Sequence, residues 1–222
     1  MKDYPYTVVL PDNYNEDSRY PAVFALHGKG SNERDLLELL KPLGTKFILF
    51  GIRGDREMGP GFQYYELKSL GNPVREQFDE AAAGLEAFIE EASAQYAVDP
   101  ARRYVVGFSQ GAILASSLAL TMGDRLKGIA ALNGYVPDFV KNEYPVRSVE
   151  KLSIFISHGE FDPVFPVRIG YETADFFKSR NDQVIFRIYP SGHTVTGENQ
   201  AEVLRFLEQD AFSDSHTNFN EE

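Results

Sequence analysis

Tyr104-Val105-Val106-Gly107-Phe108-Ser109-Gln110-Gly111-Ala112-Ile113-Leu114-Ala115 runs from an apolar strand into an apolar helix, with a glycine-flanked serine between them. Gly107 to Gly111 fits G-x-S-x-G, whose serine occupies a sharp strand-to-helix turn. Such a turn is strained and brings the positions two before and two after the serine close together, so both must be small. Gly107 and Gly111 meet that requirement. The turn also sets Ser109 at a helix N-terminus, where free N–H groups and the positive end of the helix dipole favour developing negative charge.

On either side of this segment, short β-rich runs alternate with helical patterns, which predicts βαβ units and a mostly parallel central sheet flanked by helices. Strands are expected at Tyr6 to Leu10, Ala22 to Leu26, Lys46 to Ile52, Arg103 to Phe108, Gly128 to Leu132, Ser153 to Ser157 and Val184 to Tyr189. The first two flank the turn-rich Pro11-Asp12-Asn13-Tyr14-Asn15, suggesting an antiparallel start. The continuous apolar character of the later runs suits strands covered on both faces. Helical spacing is clearest from Val74 to Tyr96, where Phe78, Ala81, Ala82, Leu85, Phe88 and Ile89 recur at intervals of three and four. Further helices are expected over Glu33 to Leu40, Gln110 to Met122, Val167 to Ser179 and Glu198 to Gln209.

The chain has 222 residues, 43% hydrophobic and 25% charged, which suits one globular domain. That domain is expected over residues 1–211, followed by a flexible acidic tail over residues 212–222. There is no cysteine, which excludes thiolate catalysis and sulfur-built zinc sites. Neither a signal-peptide core at Met1-Lys2-Asp3-Tyr4-Pro5 nor a long uncharged apolar run is present, so a cytoplasmic protein without stable membrane insertion is expected. The net charge is −11, and Glu208, Asp210, Asp214, Glu221 and Glu222 contribute to it without a compensating Lys or Arg after Phe206. Such a surface repels phosphate backbones, which argues against nucleic-acid binding.

A serine hydroxyl needs a base to become a nucleophile, and histidine has the suitable pKa. Of the four histidines, His27 and His158 sit at strand ends before a glycine and read as structural, and His216 lies in the tail. His193, after the last strand, remains. An acid must then fix its tautomer. Asp162 fits, with Asp138 and Glu160 as rivals. Two backbone amides are needed for the oxyanion: that of Gln110, after the serine, and that of Lys29 in the glycine-rich His27-Gly28-Lys29-Gly30. Phe62, Tyr64, Tyr65 and Tyr135 are candidates for the substrate pocket. Arg53 and Arg56, with Lys29, form a candidate cationic rim for an anionic substrate group.

These pieces resemble the carboxylesterase, phospholipase and acyl-protein thioesterase family of α/β-hydrolases. The likeness rests on Leu26-His27-Gly28-Lys29-Gly30, Gly107-Phe108-Ser109-Gln110-Gly111, His158-Gly159-Glu160-Phe161-Asp162-Pro163-Val164-Phe165-Pro166 and Gly192-His193. It implies the α/β-hydrolase fold without a separate lid domain, and it favours Asp162 over Asp138. It also implies a serine carboxylesterase with the triad Ser109, Asp162 and His193, acting on a small ester or thioester as a monomer or homodimer, with no cofactor and no metal. Thioesterase or lysophospholipase-like activity, and a non-catalytic binding protein, are the alternatives. Two features depart from the family: Lys29 replaces a usual apolar residue, and Met58 to Tyr65 lacks the usual tryptophan-containing segment. The segments Gly51 to Asn72 and Gly134 to Leu152 are too short for a lid domain, so an open site preferring short-chain esters is expected.

Overall fold

The computed structural model describes residues 4–213. In chain order the strands are β1 (Tyr6–Val9), β2 (Tyr20–Leu26), β3 (Ile48–Ile52), β4 (Arg56–Met58), β5 (Gly61–Gln63), β6 (Leu67–Ser69), β7 (Asn72–Pro73), β8 (Val98–Phe108), β9 (Gly128–Leu132), β10 (Ser153–Gly159) and β11 (Val184–Tyr189). The helices are α1 (Asp35–Leu40), α2 (Arg75–Gln95), α3 (Gln110–Met122), α4 (Asp138–Glu143), α5 (Val167–Lys178) and α6 (Gly197–Phe212). Seven strands form one sheet in the order β1-β3-β2-β8-β9-β10-β11. All its pairings are parallel except β1 with β3. This is the mostly parallel, helix-flanked sheet of the α/β-hydrolase fold.

Period-two alternation explains why both faces are covered. In β2, Ala22, Phe24 and Leu26 join a cluster that contains Phe78, Leu85 and Ile89 of α2, Ile113 and Leu114 of α3, and Phe177 of α5. Val23 and Ala25 point the other way, toward Leu36 and Leu40 of α1 and Val203 and Leu207 of α6. Phe24 and Phe50 stack across β2 and β3 with centroids 4.8 Å apart, with Phe88 edge-on to both. Pairs of this kind add about 0.5–1.5 kcal/mol to the burial term. Helix α3 is apolar almost all round and buried along nearly its whole length, as expected of a helix enclosed by its own sheet and neighbours.

The antiparallel start differs from expectation in its partner. Strand β1 pairs with β3, not β2. Its residues are exposed or half-buried, whereas every residue of β3 is buried, so β3 takes the interior slot and β1 the edge. Helix α6 continues past Gln209 to Phe212, whose ring lies edge-on to Phe47. Of the expected tail, residues 214–222 lie outside the described residues, as does His216. Segment 53–73 contains two small hairpins, β4-β5 and β6-β7, and no helix. Among the described residues no helix is long and apolar enough to cross a membrane.

Candidate active site

The chain runs left from β2 to β3 and then crosses back to place β8 on the other side of β2. Crevices form outside the carboxyl ends of strands at such a reversal. Ser109 follows β8 there, and His27-Gly28-Lys29 follows β2 beside it. A methyl group on Gly28 would lie 3.0 Å from the Phe108 ring, pressing on it, and 3.5 Å from Ser109 Cβ, so the Gly28 backbone runs directly against the serine turn.

Ser109 has φ 52° and ψ −114°, a left-handed, strained conformation for a residue with a side chain. The glycines two residues away permit it. A Cβ on Gly107 would fall 2.1 Å from the Gly111 carbonyl oxygen, and one on Gly111 would fall 1.9 Å from that of Leu26. Both distances are far inside van der Waals contact. The Ser109 amide donates to Leu132 O of β9 at 2.9 Å, which ties the turn to the sheet.

The structure brings Ser109, His193 and Asp162 together from the ends of β8, β11 and β10. His193 Nε2 is 2.8 Å from Ser109 Oγ, and His193 Nδ1 is 2.7 Å from Asp162 Oδ2. The imidazole is held between the rings of Phe108 and Phe165, at 5.0 and 5.4 Å. Asp162 is buried and also accepts from Asn133 Nδ2 at 2.9 Å and from the amides of Val164 and Phe165 at 2.8 and 2.9 Å. Burial alone would raise its pKa. The bonds from Asn133, His193, Phe165 and Val164 outweigh burial and hold the carboxyl below the ordinary aspartate value. The rivals are elsewhere: Asp138 is 88% exposed and paired with Lys141, and Glu160 is exposed.

The remaining candidates divide. Among the described residues, neither the Lys29 nor the Gln110 amide donates to a protein acceptor, so both N–H groups are available beside the serine. A chamber of about 290 Å³ opens at Ser109 and His193, and Lys29, Tyr65 and Tyr135 lie on its wall. Phe62 and Tyr64 do not. The Arg53 guanidinium covers the Phe62 ring at 4.3 Å, and Tyr64 is fully buried with its hydroxyl donating to Ile52 O at 2.7 Å. The cationic rim likewise reduces to Lys29, because Arg53 is drawn to Glu33 and Arg56 pairs with Glu80. A second chamber of about 370 Å³ adjoins the first, sharing Leu70, Gly71, Tyr135 and Phe165 and reaching Asp138, Lys141 and Glu172.

Sequence reasoning missed two contributors. Asn133, at the end of β9 with φ 54°, is fully buried and braces the acid. An Asn directly after an apolar strand and before glycine was its only signal. The Gln110 side chain is the second: Oε1 accepts from Tyr64 N at 2.7 Å and Nε2 donates to Tyr65 O at 2.9 Å, clamping the segment after β5 against the serine turn.

Residues 15–210 match the family described as Phospholipase/Carboxylesterase. The chain is 26% identical over 197 residues to a putative hydrolase, MhqD, of Bacillus subtilis (strain 168), covering 86% of this chain and 94% of that one. It is 27% identical over 156 residues to acyl-protein thioesterase 1 of Candida albicans, covering 65% and 67%. Among solved structures, the carboxylesterase of Bacillus cereus superposes with a TM-score of 0.80 at 20% identity, covering 93% of this chain and 94% of that one. The esterase PE8 superposes with a TM-score of 0.82 at 24% identity, covering 94% and 99%.

Proposed function

The chain belongs to the phospholipase/carboxylesterase family of ester and thioester hydrolases, and we propose that it is a serine carboxylesterase working through Ser109, His193 and Asp162. The observation that carries this reading is the unbroken relay from Ser109 Oγ to His193 Nε2 at 2.8 Å and from His193 Nδ1 to Asp162 Oδ2 at 2.7 Å. As Ser109 Oγ attacks the substrate carbonyl, His193 Nε2 takes its proton, and the carboxylate of Asp162 stabilises the imidazolium. The amides of Lys29 and Gln110 donate to the oxyanion. Each such donor lowers the barrier by about 3–4 kcal/mol. The proton then passes to the departing alkoxide or thiolate, leaving an acyl-serine. Water, deprotonated by the same imidazole, releases the acid and restores the serine.

The chamber volume of about 290 Å³ favours small or medium acyl groups. A thioester substrate is the second reading, favoured by the likeness to acyl-protein thioesterase 1 of Candida albicans. A fluorophosphonate probe should label the protein stoichiometrically at Ser109, and Ser109→Ala should abolish both labelling and hydrolysis. An unlabelled protein would exclude the mechanism. Rates on p-nitrophenyl esters of increasing chain length and on matched acyl thioesters assign the bond, with short esters expected to be cut faster than emulsified long-chain triglycerides.

A further inference from the structure

Tyr65 is 1% exposed, its ring packs on Phe78 with centroids 4.9 Å apart, and its carbonyl is held by Gln110 Nε2. Nevertheless its buried hydroxyl has no hydrogen-bond partner among the described residues. Its neighbour Tyr64 shows the usual arrangement, donating to Ile52 O and accepting from the His27 amide. Buried phenols find partners because an unmade bond forfeits the hydration lost on burial. Tyr65 is on the wall of the chamber that contains Ser109 and His193, where Leu67, Ile113, Val164 and Phe165 supply apolar surface. Burial keeps its pKa far above the ordinary tyrosine value, and Tyr135 on the same wall reinforces the shift, so the hydroxyl stays protonated and able to donate.

We infer that the Tyr65 hydroxyl is a hydrogen-bond donor to the substrate's acyl group, and that the preferred acyl groups carry an acceptor oxygen near the scissile carbonyl: alkoxy, hydroxy or oxo acyl groups rather than plain alkanoyl. This rests on the reading of Ser109 as the acylated residue. The acyl group remains bound through both chemical steps, which suits the smaller chamber. The leaving group departs after the first step, and the adjoining chamber with Asp138, Lys141 and Glu172 suits its exit. At the Tyr65 hydroxyl, an acyl oxygen would complete a bond that a methylene leaves unmade.

The test compares wild type with Tyr65→Phe on p-nitrophenyl methoxyacetate and butyrate, which differ by one oxygen in place of a methylene, and on the longer pair 3-methoxypropanoate and pentanoate. Taking the ratio of variant to wild type cancels the intrinsic reactivity of each ester. For at least one pair, Tyr65→Phe should lower kcat/KM for the oxygenated ester about tenfold relative to its alkanoyl match, the loss of one neutral hydrogen bond. Its Tm should be unchanged or higher, with fluorophosphonate labelling intact. Equal ratios on both pairs with labelling intact would overturn this inference alone. A fall in Tm of several degrees would also overturn it, because the hydroxyl would then have a partner within the protein. A wild type that the probe fails to label removes the Ser109 reading and this inference with it.

Discussion

The His27 ring is hydrogen-bonded through Nδ1 to the carbonyl oxygen of its neighbour Gly28, 2.7 Å away. His27 Nε2 accepts the Gly54 amide at 2.9 Å, so the ring proton resides on Nδ1. No peptide bond among the described residues is cis, and in a trans peptide C=O and N–H point in opposite directions. By holding the Gly28 carbonyl, with help from the Ser31 amide at 3.1 Å, His27 turns the Lys29 N–H the other way. Asn at position 27 can reproduce the Nδ1 donor, whereas Gln reaches only the place of Nε2. His27→Asn should therefore keep kcat within a few-fold. His27→Gln should lose roughly ten- to a hundredfold in kcat with KM nearly unchanged, part of the 10²–10³ that an oxyanion donor contributes. Equal losses in the two variants would show that the carbonyl contact does not set the amide's direction.

Both His27 and His158 are buried, and burial lowers the pKa of each below 6.5. As pH falls through 6.5 the unfolded chain takes up protons that the fold refuses, so unfolding becomes more favourable. The stabilisation is complete above that value and is lost below it, at a limiting slope of about 1.4 kcal/mol per pH unit for each histidine. Asp162 acts in the same direction, but only below about its ordinary value of 3.8. Thermal unfolding should show a Tm level from pH 8 to about 7 and falling toward pH 5. His158→Gln should flatten that fall relative to its own value at pH 8. An undiminished slope would place the titration elsewhere.

Strand β9 is legible in the sequence because an unbroken apolar run has no other stable home, and α2 because its apolar spacing persists for 21 residues. Strand order is not local information: nothing in Tyr6 to Leu10 says that β3 will lie between it and β2. Helix α4 has six residues, too few for a 3.6-residue period to declare itself. For the candidate site, the serine turn could be read because backbone geometry dictates its residue types, and His193 by elimination among four histidines, whereas Asp162 was preferred to Asp138 only through the family resemblance. The pocket could not. Gln63, Tyr64 and Tyr65 are buried in succession, so alternation gives no face, and the bonds from Gln110 to the Tyr64 amide and the Tyr65 carbonyl span 45 or more positions of sequence.

That clamp separates two parts of Gln110, the backbone N–H proposed for the oxyanion and the side chain that bonds to Tyr64 N and Tyr65 O. Gln110→Ala keeps the amide but leaves the Tyr64 N–H and Tyr65 carbonyl without partners. The expected cost is about 2–4 kcal/mol, a fall in Tm on the order of 10 °C for a chain of this size. Fluorophosphonate labelling at low temperature should slow by less than tenfold. A stable variant that the probe can no longer label would assign the side chain to the chemistry.

The contrast between Asp162 and Asp138 is the sharpest test of the relay. Asp162→Asn replaces an oxygen that accepts from both His193 and Asn133 with a group that can present N–H to the ring. That favours the tautomer with hydrogen on Nε2, the nitrogen that must accept the proton of Ser109. A loss in kcat on the order of 10³–10⁴ is expected, with the fold retained because the carboxamide is nearly isosteric. Asp138→Asn alters a side chain that is 88% exposed and paired with Lys141 across the surface, and should change kcat by less than twofold. If the two variants were equally impaired, the short contact between His193 and Asp162 would not be the one that orients the base.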